Sequence, residues 1–286
     1  MRWQDGDRGG NVEDRRGLHP AAAGGISVGG LVLAAIGYFV FGISPSDTLN
    51  AVNKVNGATA AQEQQVGPRG TPGDRDAQFV DVIEQSTTDV WTPIFQQSGS
   101  TYQRPAGIVL YQQATPTGCG TGQSAMGPFY CPQDQKVYLD LSFWQELEGR
   151  FGAGGEAARA YVLAHEIGHH VQQLTGASEL SRRLGTRGAQ SGSVRLELQA
   201  DCFAGVWVAH AAEVSGGRVA LDPKDVEDGL RAASAVGDDT LQKQTQGQVV
   251  PDAFTHGTSA QRMRWFRAGV QSGDPASCNT FKASEL

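Results

Sequence analysis

Residues 21–46 carry no charged side chain, and within them Gly24 to Ile43 reads GGISVGGLVLAAIGYFVFGI. Twenty residues of helix rise about 30 Å, the thickness of a bilayer's hydrocarbon core. A cleaved signal peptide has a shorter apolar run and a small-residue cleavage site. The run here ends in Phe39-Val40-Phe41-Gly42-Ile43-Ser44-Pro45, with no Ala-x-Ala pattern. The stretch is therefore expected to be a retained transmembrane anchor over residues 24–43. Arg8, Arg15 and Arg16 precede it, and only Lys54 follows at a similar distance. The positive-inside rule then predicts a cytoplasmic N-terminus (1–23). A polar linker (44–77) and one extracytoplasmic domain (78–286) follow, giving a single-pass protein of the cell membrane.

The remaining chain can build a core. Of the 286 residues, 39% are hydrophobic and 19% charged, which excludes wholesale disorder. The net charge of −7 argues against a nucleic-acid partner, which calls for a basic face. Apolar spacing predicts helices over residues 78–97, Glu156–Leu174, Val194–Glu213, Pro223–Val236 and Ser259–Val270. Asp222-Pro223 supplies a cap and a first-turn proline. Gly107–Tyr111 and Lys136–Asp140 read as short strands. The fold class expected is α+β, mainly helical with a small sheet. Four cysteines outside the cytoplasm favour disulfides. Three pairings are open, and loop locality favours Cys119–Cys131 with Cys202–Cys278.

Chemistry enters with Ala164-His165-Glu166-Ile167-Gly168-His169-His170. Residues four apart on a helix share a face, so His165 and His169 can offer two imidazoles to one Zn²⁺. Glu166 beside them can take a proton from a metal-activated water and return it to a leaving amine. His170 projects about 100° away and is expected to pack or to support the site. The metzincin continuation fails, because Gln172 and Thr175 stand where Gly and His are required. Downstream, Glu197 and Asp201 are again four apart. Glu197 can complete a His₂Glu set, and Asp201 can accept the free N–H of a ligating imidazole. The opposite assignment, Asp201 as ligand, stays open at this point.

His165-Glu166-x-x-His169 with Glu197-x-x-x-Asp201 resembles the gluzincin arrangement of thermolysin-type peptidases. More closely, the chain resembles the bacterial family called "putative neutral zinc metallopeptidase". The resemblance rests on Gly127–Pro132, Val137–Asp140, Ala160–Gln172, Gln199–Gly205 and Thr255–Arg262. It implies a zincin-like fold with a sheet edging the cleft, one zinc per chain and a peptide or protein substrate. It also implies that His256 donates to the oxyanion. Arg262 would order the same loop, Tyr130 and Tyr138 are further possible donors, and Val137–Asp140 would be the edge pairing with substrate. The rival readings are a catalytically silent zinc scaffold and a zinc hydrolase of other amides. Partner specificity and oligomeric state are not readable from the sequence.

Overall fold

The computed structural model describes residues 1–17, 69–70, 73–149 and 152–286. A five-stranded sheet is built from β1 (Val12–Asp14), β2 (Arg69–Gly70), β3 (Gly107–Tyr111), β6 (Phe129–Cys131) and β7 (Lys136–Asp140). Its order is β2-β1-β3-β7-β6. The inner strands β1, β3 and β7 run parallel, while β2 and β6 are antiparallel edges. Every residue of β3 and β7 is buried, as expected of short β-branched and aromatic runs covered on both faces. A hairpin of β4 (Ala114–Thr117) and β5 (Gly120–Gln123) is joined to β6 by the Cys119–Cys131 disulfide. The strand Val137–Asp140 is therefore not a free edge: β3 and β6 take both its sides, and the edge is Phe129–Cys131.

The helices are α1 (Arg75–Gln97), α2 (Phe143–Gly149), α3 (Glu156–Thr175), α4 (Ala177–Arg183), α5 (Gly192–Val214), α6 (Pro223–Ala235), α7 (Asp238–Gln246) and α8 (Ser259–Ser272). The α+β class holds, with helices dominant among the described residues. Asp222 and Asp225 form a capping box at α6, with Pro223 in the first turn. Helix α5 is the central one, packing on α1, α3, α4 and α8. Its buried side chains include Leu198, Phe203, Val206 and Trp207. Helix α8 approaches it at backbone distance, since a Cβ on Gly205 would meet Phe266 O at 2.2 Å. Cys202 of α5 is bonded to Cys278, which ties down the C-terminal segment. Both disulfides follow the pairing that loop locality favours.

The expected anchor, residues 24–43, lies outside the described residues. Among the described residues, no helix is long and apolar enough to cross a membrane. Residues 1–17, read from the sequence as a tail apart from the domain, pack within it. Trp3 is buried edge-on to Phe79. Asp81 and Glu84 of α1 bind Gly10 N and the Asn11 amide at 2.8 and 3.1 Å. Glu13 of β1, fully buried, accepts from Arg15 Nε at 2.7 Å and Lys136 Nζ at 2.8 Å. Arg15 also reaches Thr115 Oγ1 and Pro116 O.

Burial alone would raise the Glu13 carboxyl, but Arg15 and Lys136 outweigh it and hold it below the ordinary range. Removing one partner of a buried charge cluster costs about 3–5 kcal/mol. Glu13→Gln should therefore lower stability by about that amount at neutral pH, read by chemical denaturation. A lowered folded pKa means stabilisation present above the unfolded value and lost as pH falls through the folded one. The gap between parent and variant should accordingly shrink in acid.

Candidate metal centre

Helix α3 carries His165, Glu166 and His169, and α5 carries Glu197 and Asp201. The two helices come close because Gly168 faces Ala200. A Cβ on Gly168 would stand 3.2 Å from both Ala200 Cα and Ala200 O. Gly168 thus does for packing what its neighbours in the motif do for chemistry. The αL glycine Gly176 (φ 80°) ends α3, and Ser191 caps α5 by accepting from Val194 N.

One donor atom each from His165, His169 and Glu197 lies within 4.8 Å of the others. His165 Nε2 is 3.2 Å from Glu197 Oε2, and His169 Nε2 is 3.4 Å from Glu197 Oε1. Zinc at about 2.0–2.1 Å from its donors in a tetrahedron leaves neighbouring donors about 3.4 Å apart, a spacing that both imidazole–Glu197 pairs match. Glu197, not Asp201, joins the imidazoles.

The hydrogen bonds around the rings decide what the inner nitrogens offer. His165 Nδ1 is 2.8 Å from Asp201 Oδ1. An ionised carboxylate only accepts, so Nδ1 carries a hydrogen; once the ring gives up its second proton, Nε2 presents a lone pair. His169 Nδ1 is 2.8 Å from Gln172 Oε1. The Gln172 amide is oriented by Leu196 O at 2.6 Å and Gln199 Oε1 at 3.2 Å, both of which accept from its Nε2. Gln199 in turn donates to Cys278 O at 3.1 Å. When both rings are neutral, their Nε2 lone pairs face the Glu197 carboxylate, and a cation bound between them would relieve that repulsion.

Asp201 is fully buried and accepts from Tyr161 Oη (2.5 Å), His165 Nδ1, and Arg262 Nε and Nη2 (2.8 Å each). Burial would raise its carboxyl, but Arg262 and His165 hold it down. Arg262 thus acts chiefly on Asp201; it also donates to Val236 O and Tyr161 Oη at 3.3 Å each and stands 3.9 Å from Glu197 Oε2. Burial would lower His165, yet Asp201 and Glu197 raise it to about 9 without a metal. Glu197 is pushed up by burial and pulled well below its ordinary range by His169, His256 and His165. Burial raises the Glu166 carboxyl, and His169 and His165 pull it back. A carboxyl shifted upward is a better proton acceptor than a free one, as a general base requires.

His256 sits in the loop before α8, half-buried, where Glu197 influences it electrostatically. Asp238 positions that loop: its Oδ2 accepts from the N–H groups of Thr255, His256 and Gly257 at 2.8, 2.6 and 2.9 Å. Its Oδ1 lies 3.3 Å from His256 Nδ1. Burial would lower His256, and Glu197 and Asp238 raise it instead. His170 packs as expected, with Nε2 on Gln103 O (2.6 Å) and Nδ1 on Tyr130 Oη (3.0 Å). Tyr130 is thereby engaged with His170, and Tyr138 donates to Asp134 at 2.6 Å. Neither hydroxyl is aimed at the centre by these bonds. Sequence reasoning missed Gln172 and Asp238. Gln172 was legible in principle, since it lies one helical turn from His169.

Glu197→Ala should abolish tight zinc binding, measured by chelator competition. Asp201→Asn and Gln172→Ala should each weaken it by about 10–100-fold, the usual cost of losing a partner that orients a ligand.

Comparison with known proteins agrees with this geometry. The model of the family described as "putative neutral zinc metallopeptidase" matches residues 1–281. The uncharacterized protein YpfJ of Escherichia coli K12 is 44% identical over 303 residues, covering 99% of this chain and all of that protein. The uncharacterized protein Rv2575 of Mycobacterium tuberculosis H37Rv is 47% identical over 208 residues, covering 70% of this chain and 69% of that one. No solved structure matches the chain. On the strength of the family match, this chain belongs to the putative neutral zinc metallopeptidase family.

Proposed function

We propose that the protein is a membrane-associated zinc peptidase of zincin-like build. It would hold one Zn²⁺ per chain on His165, His169 and Glu197 and hydrolyse peptide bonds. One observation carries the reading: two imidazoles and a carboxylate converge within 4.8 Å, the carboxylate 3.2–3.4 Å from each ring, with the raised Glu166 carboxyl in the same electrostatic cluster. Bound zinc supplies Lewis acidity toward a carbonyl and lowers the pKa of coordinated water to about 7.

The residues of the chain do the rest. Glu166 takes the proton of the attacking water and delivers it to the departing amine. Asp201, kept ionised by Arg262, fixes the His165 tautomer, and Gln172 fixes that of His169. His256, held by Asp238, donates to the developing oxyanion. The substrate lies extended along β6, the antiparallel edge strand whose Tyr130 touches His170 on α3. The two disulfides support an extracytoplasmic setting for the domain, and residues 24–43 support contact with a bilayer.

The test is incubation of the zinc-loaded full chain with a diverse peptide library, beside Glu166→Gln, with products read by mass spectrometry. Parent-only cleavage with zinc retained in both proteins is the expected result. If neither protein cuts while both hold zinc, the silent scaffold stands; turnover confined to small non-peptide amides would make the enzyme an amidohydrolase of another kind. His256→Ala should lower kcat by about 10²–10³ with zinc content unchanged, the range seen when one oxyanion donor is removed.

A further inference from the structure

The apolar stretch at 24–43 and the position of β1 make incompatible demands on a single-pass topology. β1 is an inner strand, paired parallel to β3 through Val12↔Ile108, Glu13↔Val109 and Asp14↔Leu110. On its other side it pairs with β2 through Val12↔Gly70 and Glu13↔Arg69. Hydrogen-bonded strands lie about 4.8 Å apart, whereas a bilayer core is about 30 Å thick. A chain whose residues 12–14 were across a membrane from residues 107–111 could not form this sheet.

The contacts of residues 1–17 are interior ones. Glu13 is fully buried and paired with Lys136 of β7, and Arg15 is 4% exposed with its guanidinium on Thr115 and Pro116. Trp3 is 3% exposed, and Arg2 bridges to Ala220, between α5 and α6. Withdrawing the segment would leave Lys136, Asp81 and Glu84 without partners they now bind. The two ends of residues 18–68 also meet the domain side by side, because β1 precedes that stretch and β2 follows it in register. A return crossing would need a second apolar run of about twenty residues. Residues 44–68 offer none, being interrupted by Asp47, Lys54 and Glu63.

We propose that residues 1–17 and the zinc domain occupy the same side of the membrane. This replaces the topology expected from the flanking arginines with one dictated by strand pairing. Arg15 and Arg16 then have another reason to be basic: Arg15 neutralises Glu13 in the core, and Arg16 pairs with Asp14 at 2.6 Å and Asp74 at 2.5 Å. The proposal rests on reading 24–43 as a bilayer-contacting segment, and the experiment separates the two.

The full chain is produced in bacterial cells as Asp5→Cys and, separately, Ser100→Cys, two exposed positions on either side of the stretch. Zinc binding of each purified variant confirms the fold. Membranes are collected and washed, then intact spheroplasts and opened ones are treated with a membrane-impermeant maleimide. Labelling is located by peptide mass spectrometry, so that the native cysteines do not interfere. The expected result is membrane retention with both positions labelled alike, whether from outside or only after opening. Position 5 reached only after opening while position 100 is reached from outside would overturn the shared side. Recovery of the whole protein in the soluble fraction would overturn the bilayer contact while leaving strand pairing intact.

Discussion

The contact between α3 and α5 at Gly168 and Ala200 sets the distance on which the whole centre depends. Two ligands come from one helix and one from the other, so the spacing of three donor atoms is a spacing between helix axes. A methyl group added at Gly168 would press on backbone at 3.2 Å, not on a side chain able to rotate away. The interior beyond continues the pattern: Gly205 and Gly269 let α8 lie against α5 at backbone distance. Arg262 of α8 consequently reaches Asp201 of α5 at 2.8 Å. Close packing of three helices is thus what delivers a guanidinium to a carboxylate beneath a histidine ring.

That guanidinium has an electrostatic task. A carboxylate removed from water favours its neutral form, and a neutral Asp201 would no longer be obliged to accept from His165 Nδ1. Two hydrogen bonds from Arg262 keep Asp201 charged at full burial. Once it loses its second proton, the ring has one donor and one lone pair, in fixed places. His169 reaches the same condition by neutral means, through an amide whose hydrogens are already committed to Leu196 O and Gln199. The two candidate ligands therefore sit in different fields: one is backed by a charge, the other by a dipole. The charged backing raises the proton affinity of His165 to about 9 in the metal-free protein, so a binding cation has to displace a proton there.

Much of this was legible in the sequence because it obeys local rules. The i, i+4 pairs gave both halves of the site, and apolar periodicity gave α1, α3, α5, α6 and α8 nearly to their ends. The choice of Glu197 over Asp201 needed the third dimension, since either carboxylate fits the spacing. Strands β1, β2, β4, β5 and β6 were missed: Ala114–Thr117 and Gly120–Gln123, for example, are held by hairpin pairing and a disulfide, and neither has an apolar pattern. Asp238 was invisible because its task is to collect three backbone N–H groups from a loop some eighteen residues on. Strand β6 became an edge, and β7 an interior strand, through a pairing that no periodicity encodes.

The N-terminal segment shows how a correct local rule can meet a stronger long-range one. Three arginines before an apolar run carry a topological signal only if they are free to stay in the cytoplasm. Arg15 instead donates to Thr115 and Pro116 of β4, and Arg16 pairs with Asp74 at the cap of α1 as well as with its neighbour Asp14. Strand pairing, a buried charge triad and the helix-α1 carboxylates act together on the same seventeen residues, and each requires them beside the domain. Interactions of that kind form only where both partners share a compartment. On the proposed topology the sheet outweighs the flanking charge, and the position of β1 ties the membrane question to the stability of the domain itself.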